Sequence, residues 1–406
     1  MHFIPILSTL RRHRTAAVLI VLEIALTCAI VCNAIFLIGD RLHRMDQPSG
    51  VAENELLRIG LTGIGTKADA GSLTAQDLAA LRAIPGVKSA ATIDMVPFGG
   101  SSWNSSISLG PEDAASSVNA GMYMGGPDLI DTLGLQLVAG RGFTADEMVD
   151  FDAAQAQKVH IPSIILTRGA ARRLFQDKNP IGQPVYVWGK QPQIVVGVID
   201  QIARPNEVNG PELFDCAMLL PVRLTYTNAG NYVVRVDPAR LDEVNGEVEQ
   251  TLDNVDPSRI ILEHETFHQI RREHFKGDRA MAYLLVGVCL ALLVITALGV
   301  VGLASFWVQQ RTRQIGIRRA LGATKRDIVH YFQMENFILA TLGIVLGMAL
   351  AYGVNLWLMG KYHVPRLPAE FLPIGASLLW LLGQVAVLGP ALRAAAIPPA
   401  IATRSV

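Results

Sequence analysis

His264-Glu265-Thr266-Phe267-His268 has the spacing that, wound as a helix, sets two imidazoles on one face with a carboxylate beside them. Such a set holds a zinc ion and activates a water for hydrolysis. His274, ten residues beyond His264, stands where a third ligand would be sought. Arg271, however, occupies the place where a glycine must break the helix to bring that histidine round. A helix that continues turns His274 about 80° off the ligand face, at 100° per residue. The segment also abuts a long apolar run, where a rigid, solvated helix is reason enough for it. The sequence therefore predicts neither a bound metal nor catalysis here. No G-x-x-x-x-G-K-[ST] phosphate loop occurs, and Gly63-Ile-Gly-Thr-Lys has glycines at the wrong spacing. Nothing reads as a nucleophile elbow or a nucleic-acid-binding module. The expectation is a non-catalytic chain with no cofactor and no nucleic-acid partner.

The densest charge lies elsewhere, in Gln309–Phe332, QQRTRQIGIRRALGATKRDIVHYF. Arg311, Arg313, Arg318, Arg319, Lys325 and Arg326 fall within sixteen residues, with Asp327 as the one acid among them. Ile315, Ile317, Leu321, Ile328 and Phe332 recur partly as one helical face would require. Gly322 interrupts the pattern, which predicts two short helices meeting at a glycine bend. A loop that only sets topology has no need of that apolar component. The stretch reads as a firm amphipathic surface offered to a soluble partner, on the cytoplasmic side where short basic loops stay.

The elements that position this loop are apolar. Half the residues are hydrophobic, 17% are charged and the mean hydropathy is +0.33. Apolar runs predict transmembrane helices at 16–39, 280–308, 336–360 and 370–389, leaving 309–335 as the basic loop and 390–406 as a cytoplasmic tail. Residues 1–15 suit an amphipathic helix on the cytoplasmic membrane surface. Between the first two spans, 40–279 predicts an extracytoplasmic domain. From Asp40 to Arg279 there are 22 Lys and Arg against 31 Asp and Glu, so basic ends flank an acidic middle. The expected fold is thus a membrane protein with four transmembrane α-helices and a large mixed α/β domain inserted between the first and second.

Within that domain Pro162–Thr167, Gln193–Ile199 and Tyr232–Val236 read as strands. Thr74–Ile84 (capped by Ser72 or Thr74), Arg168–Phe175 and Leu241–Leu252 read as helices. Residues 99–106 and 204–210 read as loops, and Ile261–Lys276 as an amphipathic stalk helix leading to the second span. In the spans, Glu23 and Asn355 are polar groups that must find partners. Gly343, Gly347 and Ala351 form a small-residue face on which another helix can pack closely. Cys28, Cys32 and Cys289 fall in spans and Cys216 stands alone outside them, so no disulfide framework is available.

The basic stretch reads Arg311-Thr-Arg-Gln-Ile-Gly-Ile-Arg-Arg-Ala-Leu-Gly-Ala-Thr, then Lys325-Arg-Asp-Ile. It resembles R-x-x-E-I-G-I-R-R-A-L-G-A-T of the MacB/FtsX/LolC-type permeases of ABC transporters. The tail from Pro390 is similar to that family's closing P-A-x-R-A-A motif. Thr132–Phe143, Asn179-Pro-Ile-Gly-Gln and Val195-Val-Gly-Val resemble the MacB-type periplasmic core. The resemblance covers nearly the whole chain, with one departure, Gln314 in place of the usual glutamate. It implies an inner-membrane permease with a periplasmic domain, working with a second permease chain and a separate cytoplasmic ATPase that carries the ATP and magnesium. That ATPase would dock on Arg311, Arg313, Gln314, Gly316, Arg318, Arg319, Ala320, Leu321, Gly322 and Ala323. A membrane-fusion protein and an outer-membrane channel are further implied partners, beside the lipid itself. The implied function is export of a peptide, antibiotic, lipid or siderophore, with an FtsX-like relay to an envelope enzyme or sensor as the alternative.

Overall fold

A computed structural model describes residues 14–63, 69–111, 117–150, 160–206, 210–226, 229–362 and 366–398. The surface helix expected at 1–15 and the end of the tail lie outside these residues, save for Arg14 and Thr15, which open the first helix. In chain order the elements begin with α1 (Arg14–Met45), β1 (Leu56–Gly63), α2 (Ala70–Ala83), β2 (Val87–Ile93), β3 (Asn104–Ile107) and β4 (Val118–Gly125). There follow α3 (Leu129–Leu133), β5 (Leu137–Gly140), β6 (Val149–Asp150), β7 (Ser163–Thr167), α4 (Arg168–Phe175), β8 (Pro184–Val185) and β9 (Gln193–Ile199). Then come β10 (Ala217–Arg223), β11 (Ala229–Val236), α5 (Leu241–Val255), β12 (Arg259–Thr266) and α6 (Phe267–His274). The chain closes with α7 (Lys276–Gln310), α8 (Thr312–Ala320), α9 (Lys325–Tyr362) and α10 (Phe371–Ala395). It divides into two compact units, Gln47–Lys276, and Met1–Asp46 together with Gly277–Val406.

Among the described residues the Gln47–Lys276 unit is built on a twelve-stranded mixed sheet whose main path runs β12-β1-β11-β2-β4-β10-β7-β9-β5, with β3 beside β4, β6 beside β10 and β8 beside β9. Two cores flank a narrow joint. Leu57, Ile59, Tyr232 and Val234 pack under Leu81 of α2 and Val244, Val248 and Leu252 of α5. Ile164, Leu166, Val195 and Met218 pack around Leu174 and Phe175 of α4. Between them β2 and β4 share the single pair Ile93↔Gly125. A Cβ on Gly125 would lie 2.6 Å from the Thr92 carbonyl oxygen, so the strands meet here only because no side chain intervenes. Asp94 pins the joint: its Oδ1 accepts from the amides of Met95 (2.9 Å) and Met124 (2.8 Å).

Three expectations are corrected here. The helix read from Thr74 begins at Ala70, and Thr74 does not cap it. Its buried hydroxyl instead donates to the Ala70 carbonyl (2.8 Å) and accepts from the Tyr226 amide (3.0 Å). The loop read over 99–106 ends in strand β3, which pairs with β4. The stalk helix read over Ile261–Lys276 is half strand. Its first residues form β12 and pair with β1, and only from Phe267 is the chain helical. Ile260-Ile261-Leu262 is apolar enough for either state, and the ladder offered by β1 decides.

In the other unit α1, α7, α9 and α10 are each long and apolar enough to cross a membrane. The third apolar run, expected from 336, is one helix from Lys325 onward. No helix breaker separates its polar first turns from its apolar stretch, and hydropathy alone had set the boundary. The small-residue face of α9 lies on α1 of the same chain. A Cβ on Gly343 would stand 2.8 Å from Ile24 Cβ, and one on Gly347 would stand 2.5 Å from Cys28 Cβ. At Ala351 the carbonyl accepts from Asn33 Nδ2 (3.1 Å).

Candidate functional site

The basic loop is folded by its own sequence. After Gln310 the chain breaks at Arg311, and Thr312 anchors the next helix by donating to the carbonyls of Val308 (3.0 Å) and Gln309 (2.9 Å). Helix α8 ends in a turn at Gly322, whose φ of +101° is the left-handed conformation that closes helices and favours glycine. The amides of Gly322 and Ala323 bond back to Arg319 (3.2 Å) and Arg318 (3.1 Å). Thr324 then caps α9: its hydroxyl accepts from the Asp327 amide (3.2 Å), while Asp327 Oδ2 accepts from the Thr324 amide (2.9 Å). The result is two helices meeting at a glycine bend.

This elbow has an inner and an outer side. Inside, Ile315 and Gly316 are buried, and Ile315 packs with Ile328 and Phe332 of α9 and Ala391, Ala394 and Ala395 of α10. Arg311 belongs to this inner side. Its guanidinium donates to both carboxylate oxygens of Glu335, at 3.1 and 2.9 Å, and lies 5.4 Å from the Trp307 ring centroid. Arg319 is half-buried and Ala323 likewise; Arg319 Nη1 donates to the carbonyls of Ala395 (3.0 Å) and Ile397 (2.8 Å). Outside stand Arg313, Gln314, Ile317, Arg318, Ala320, Leu321 and Gly322. Leu321 is 84% exposed and Ile317 46%, apolar positions exposed on α8 and its C-cap together with Arg313 and Arg318. Arg318 is stacked 4.9 Å over Tyr331, and Gln314 lines a cleft of about 40 Å³ with Arg311 and Arg318. Of the ten residues read as a docking surface, Arg311 and Gly316 thus face inward and Arg319 is engaged by backbone.

Sequence reading missed Glu335, the partner of Arg311. Its one signal was an acid at the edge of an apolar run, where a charge must be paired. Of the polar residues it did single out, Glu23 packs against a neighbouring helix and Asn355 has a hydrogen-bond partner. The Glu23 carboxylate sits against Gly299 of α7, 2.6 Å from where a Cβ would stand. Asn355 Oδ1 accepts from the Leu367 amide at 2.8 Å. Thr27 and Thr296 add a buried hydroxyl contact of 2.8 Å between α1 and α7.

The HExxH segment has no metal geometry. His264 and Glu265 lie in β12 opposite Ile59 and Arg58, whereas His268 is in α6 and bonds Asn54 Oδ1 through Nε2 at 2.7 Å. The His274 ring packs at a tilt against Phe98, with ring centroids 5.1 Å apart. Among the described residues no three His, Cys, Asp or Glu side chains converge on a metal position.

With this geometry in place, two family matches cover most of the chain. The MacB-like periplasmic core domain matches residues 18–251, and the FtsX-like permease C-terminal domain matches 286–399. The macrolide export ATP-binding/permease protein MacB of Agrobacterium fabrum is 28% identical over 261 residues, 60% of this chain and 36% of that protein. The pyoverdine export ATP-binding/permease protein PvdT of Pseudomonas aeruginosa is 24% identical over 411 residues, 98% of this chain and 57% of that one. The uncharacterised ABC transporter permease YknZ of Bacillus subtilis is 26% identical over 278 residues, 66% of each chain. The matched part of this chain thus spans between 36% and 66% of these relatives' length.

Proposed function

We propose a function from one premise: this chain belongs to the family of permeases that join a MacB-like periplasmic core domain to an FtsX-like permease domain. It is the membrane subunit of an ABC transporter, seated in an inner membrane with its Gln47–Lys276 unit on the periplasmic side. An ATPase on a separate chain binds ATP and magnesium in the cytoplasm and docks on the elbow at Gly322. Two permease chains make the assembly, and a membrane-fusion protein and outer-membrane channel complete an export route. Hydrolysis by the motor moves the periplasmic unit, which expels an antibiotic, peptide, lipid or siderophore. This chain holds no cofactor of its own and catalyses no reaction.

The observation that carries this reading is a pair of exposed apolar residues, Leu321 and Ile317, on the same helix and C-cap as exposed Arg313 and Arg318, on a mount whose inner side is packed. Exposed apolar residues beside arginines have the composition of a protein interface. Among the described residues the membrane-crossing candidates carry few ionisable groups, which supports a reading in which the work is done outside them. The test is co-purification of the full chain with an ATP-hydrolysing protein from its native cells. Leu321→Asp together with Arg318→Glu should abolish capture while the chain still inserts and keeps its thermal midpoint. Undiminished capture and ATPase recovery with that variant would defeat the docking claim.

A further inference from the structure

We infer that Arg319 is not a contact for the motor but the clamp that makes α8 and the last turn of α10 move as one body. This rests on the docking reading and adds the route by which the motor's push leaves the elbow. The final carbonyls of any helix have no partner within it. In α10 the chain cannot continue the helix past Pro398, and the amides of Ala396 and Ile397 fold back on Leu392, Arg393 and Ala394. Outward carbonyls remain at Ala395 and Ile397, and Arg319 Nη1 donates to both, at 3.0 and 2.8 Å. A cation there also meets the negative end of the helix dipole.

The packing supports the same assignment. Ala391, Ala394 and Ala395 are buried against Ile315, so the two helices touch through small side chains beside the clamp. Pro390 lies inside α10 one turn earlier; without an N–H it leaves the Ala386 carbonyl short of its helical donor. That makes a joint between the membrane-crossing length of α10 and its clamped end. The far end of α8 is fixed as well, because Arg311 is held by Glu335 of α9. Arg318 and Arg319 are adjacent in sequence yet divided in task. Arg318 stacks outward on Tyr331, while Arg319 turns inward to grip the backbone.

The test has two arms on the full chain in nanodiscs. In the chain alone, amide hydrogen exchange at 394–397 should rise roughly tenfold for Arg319→Ala, the loss of a charged hydrogen bond. It should be partly restored by Arg319→Lys and unchanged by Arg318→Ala, which removes the same charge without touching a carbonyl. In the second arm, vanadate trapping with the ATP-hydrolysing chain captured from native cells should alter exchange at 391–397 in the wild type. Arg319→Ala should still capture that chain and should lose the response. Unchanged exchange in Arg319→Ala alone overturns the clamp, and so does loss of capture by that variant, which would make Arg319 a docking contact. If the wild type captures no ATP-hydrolysing chain, the docking reading fails and takes the transmission role with it, whatever the first arm shows.

Discussion

Arg311 and Glu335, 24 residues apart in sequence, meet at 2.9 and 3.1 Å with side chains only 9% and 1% exposed. Two opposite charges so far from water hold each other in place, and neither is tolerable alone. Arg311→Ala or Glu335→Ala should each cost about 3–5 kcal/mol, since each strands the other charge. Replacing both, with Arg311→Met and Glu335→Leu, should recover most of that loss. Thermal unfolding of the chain in detergent reads the difference. Single variants within about 0.5 kcal/mol of wild type would show that the pair is not buried as described.

The small-residue face of α9 makes a second prediction, about whom it touches. Gly347→Ala should destabilise the chain by about 1–3 kcal/mol, because the new methyl meets Cys28 Cβ at 2.5 Å and the Ala25 carbonyl at 2.7 Å. Gly353→Ala, with nothing within 4 Å of its Cβ, should be neutral or slightly stabilising. The oligomeric state by light scattering should be the same for both variants. A Gly347→Ala chain with native stability but altered oligomeric state would move this face from an intramolecular contact to one between copies.

What the sequence disclosed and what it hid follow a physical line. Ser163–Thr167 and Arg168–Phe175 were legible because a β-branched run is followed by a Thr167 cap that accepts from the Ala170 amide at 3.3 Å. The bend at Gly322 was legible because its backbone conformation leaves almost no alternative residue. Arg319 was read as a surface charge because its partners are carbonyl oxygens 76 and 78 residues away, which no local pattern announces. Glu335 was hidden by the same sequence distance. Ile261 and its neighbours were misread because a ladder with β1 outweighs a helical apolar pattern.

The histidines of the HExxH segment straddle a helix start, so metal removal should do nothing. Thr266 accepts from the Gln269 amide at 3.3 Å while its own amide donates to Gln269 Oε1 at 2.8 Å, a capping box that begins α6 inside the motif. Chelator treatment, or His264→Ala with His268→Ala, should leave zinc content by mass spectrometry and the hydrolytic background unchanged. Thr266→Ala should cost about 1 kcal/mol through the lost cap. A stoichiometric zinc lost on His264→Ala would contradict the strand assignment.

Asp94 gives the Gln47–Lys276 unit a pH dependence whose sign is fixed. Its Oδ1 accepts two amides at the β2–β4 joint, but Oδ2 is buried with no partner, and burial pushes the carboxyl from the usual 3.8 up to about 7. Tyr123 and Tyr226 face it, themselves pushed above their usual 10.0 chiefly by burial. Between about pH 4 and pH 7 the native joint therefore keeps a proton that the unfolded chain has released. Stability should fall as pH rises through that window, by up to about 1.4 kcal/mol per unit, and level off above it. Exchange protection of the Met95 and Met124 amides in the full chain, corrected for the intrinsic rate at each pH, follows this directly. Asp94→Asn keeps an acceptor for both amides and cannot ionise, so its protection should be flat across the same range. A wild-type profile that rises with pH, or an Asp94→Asn profile that still slopes, would mean that some other group titrates at the joint.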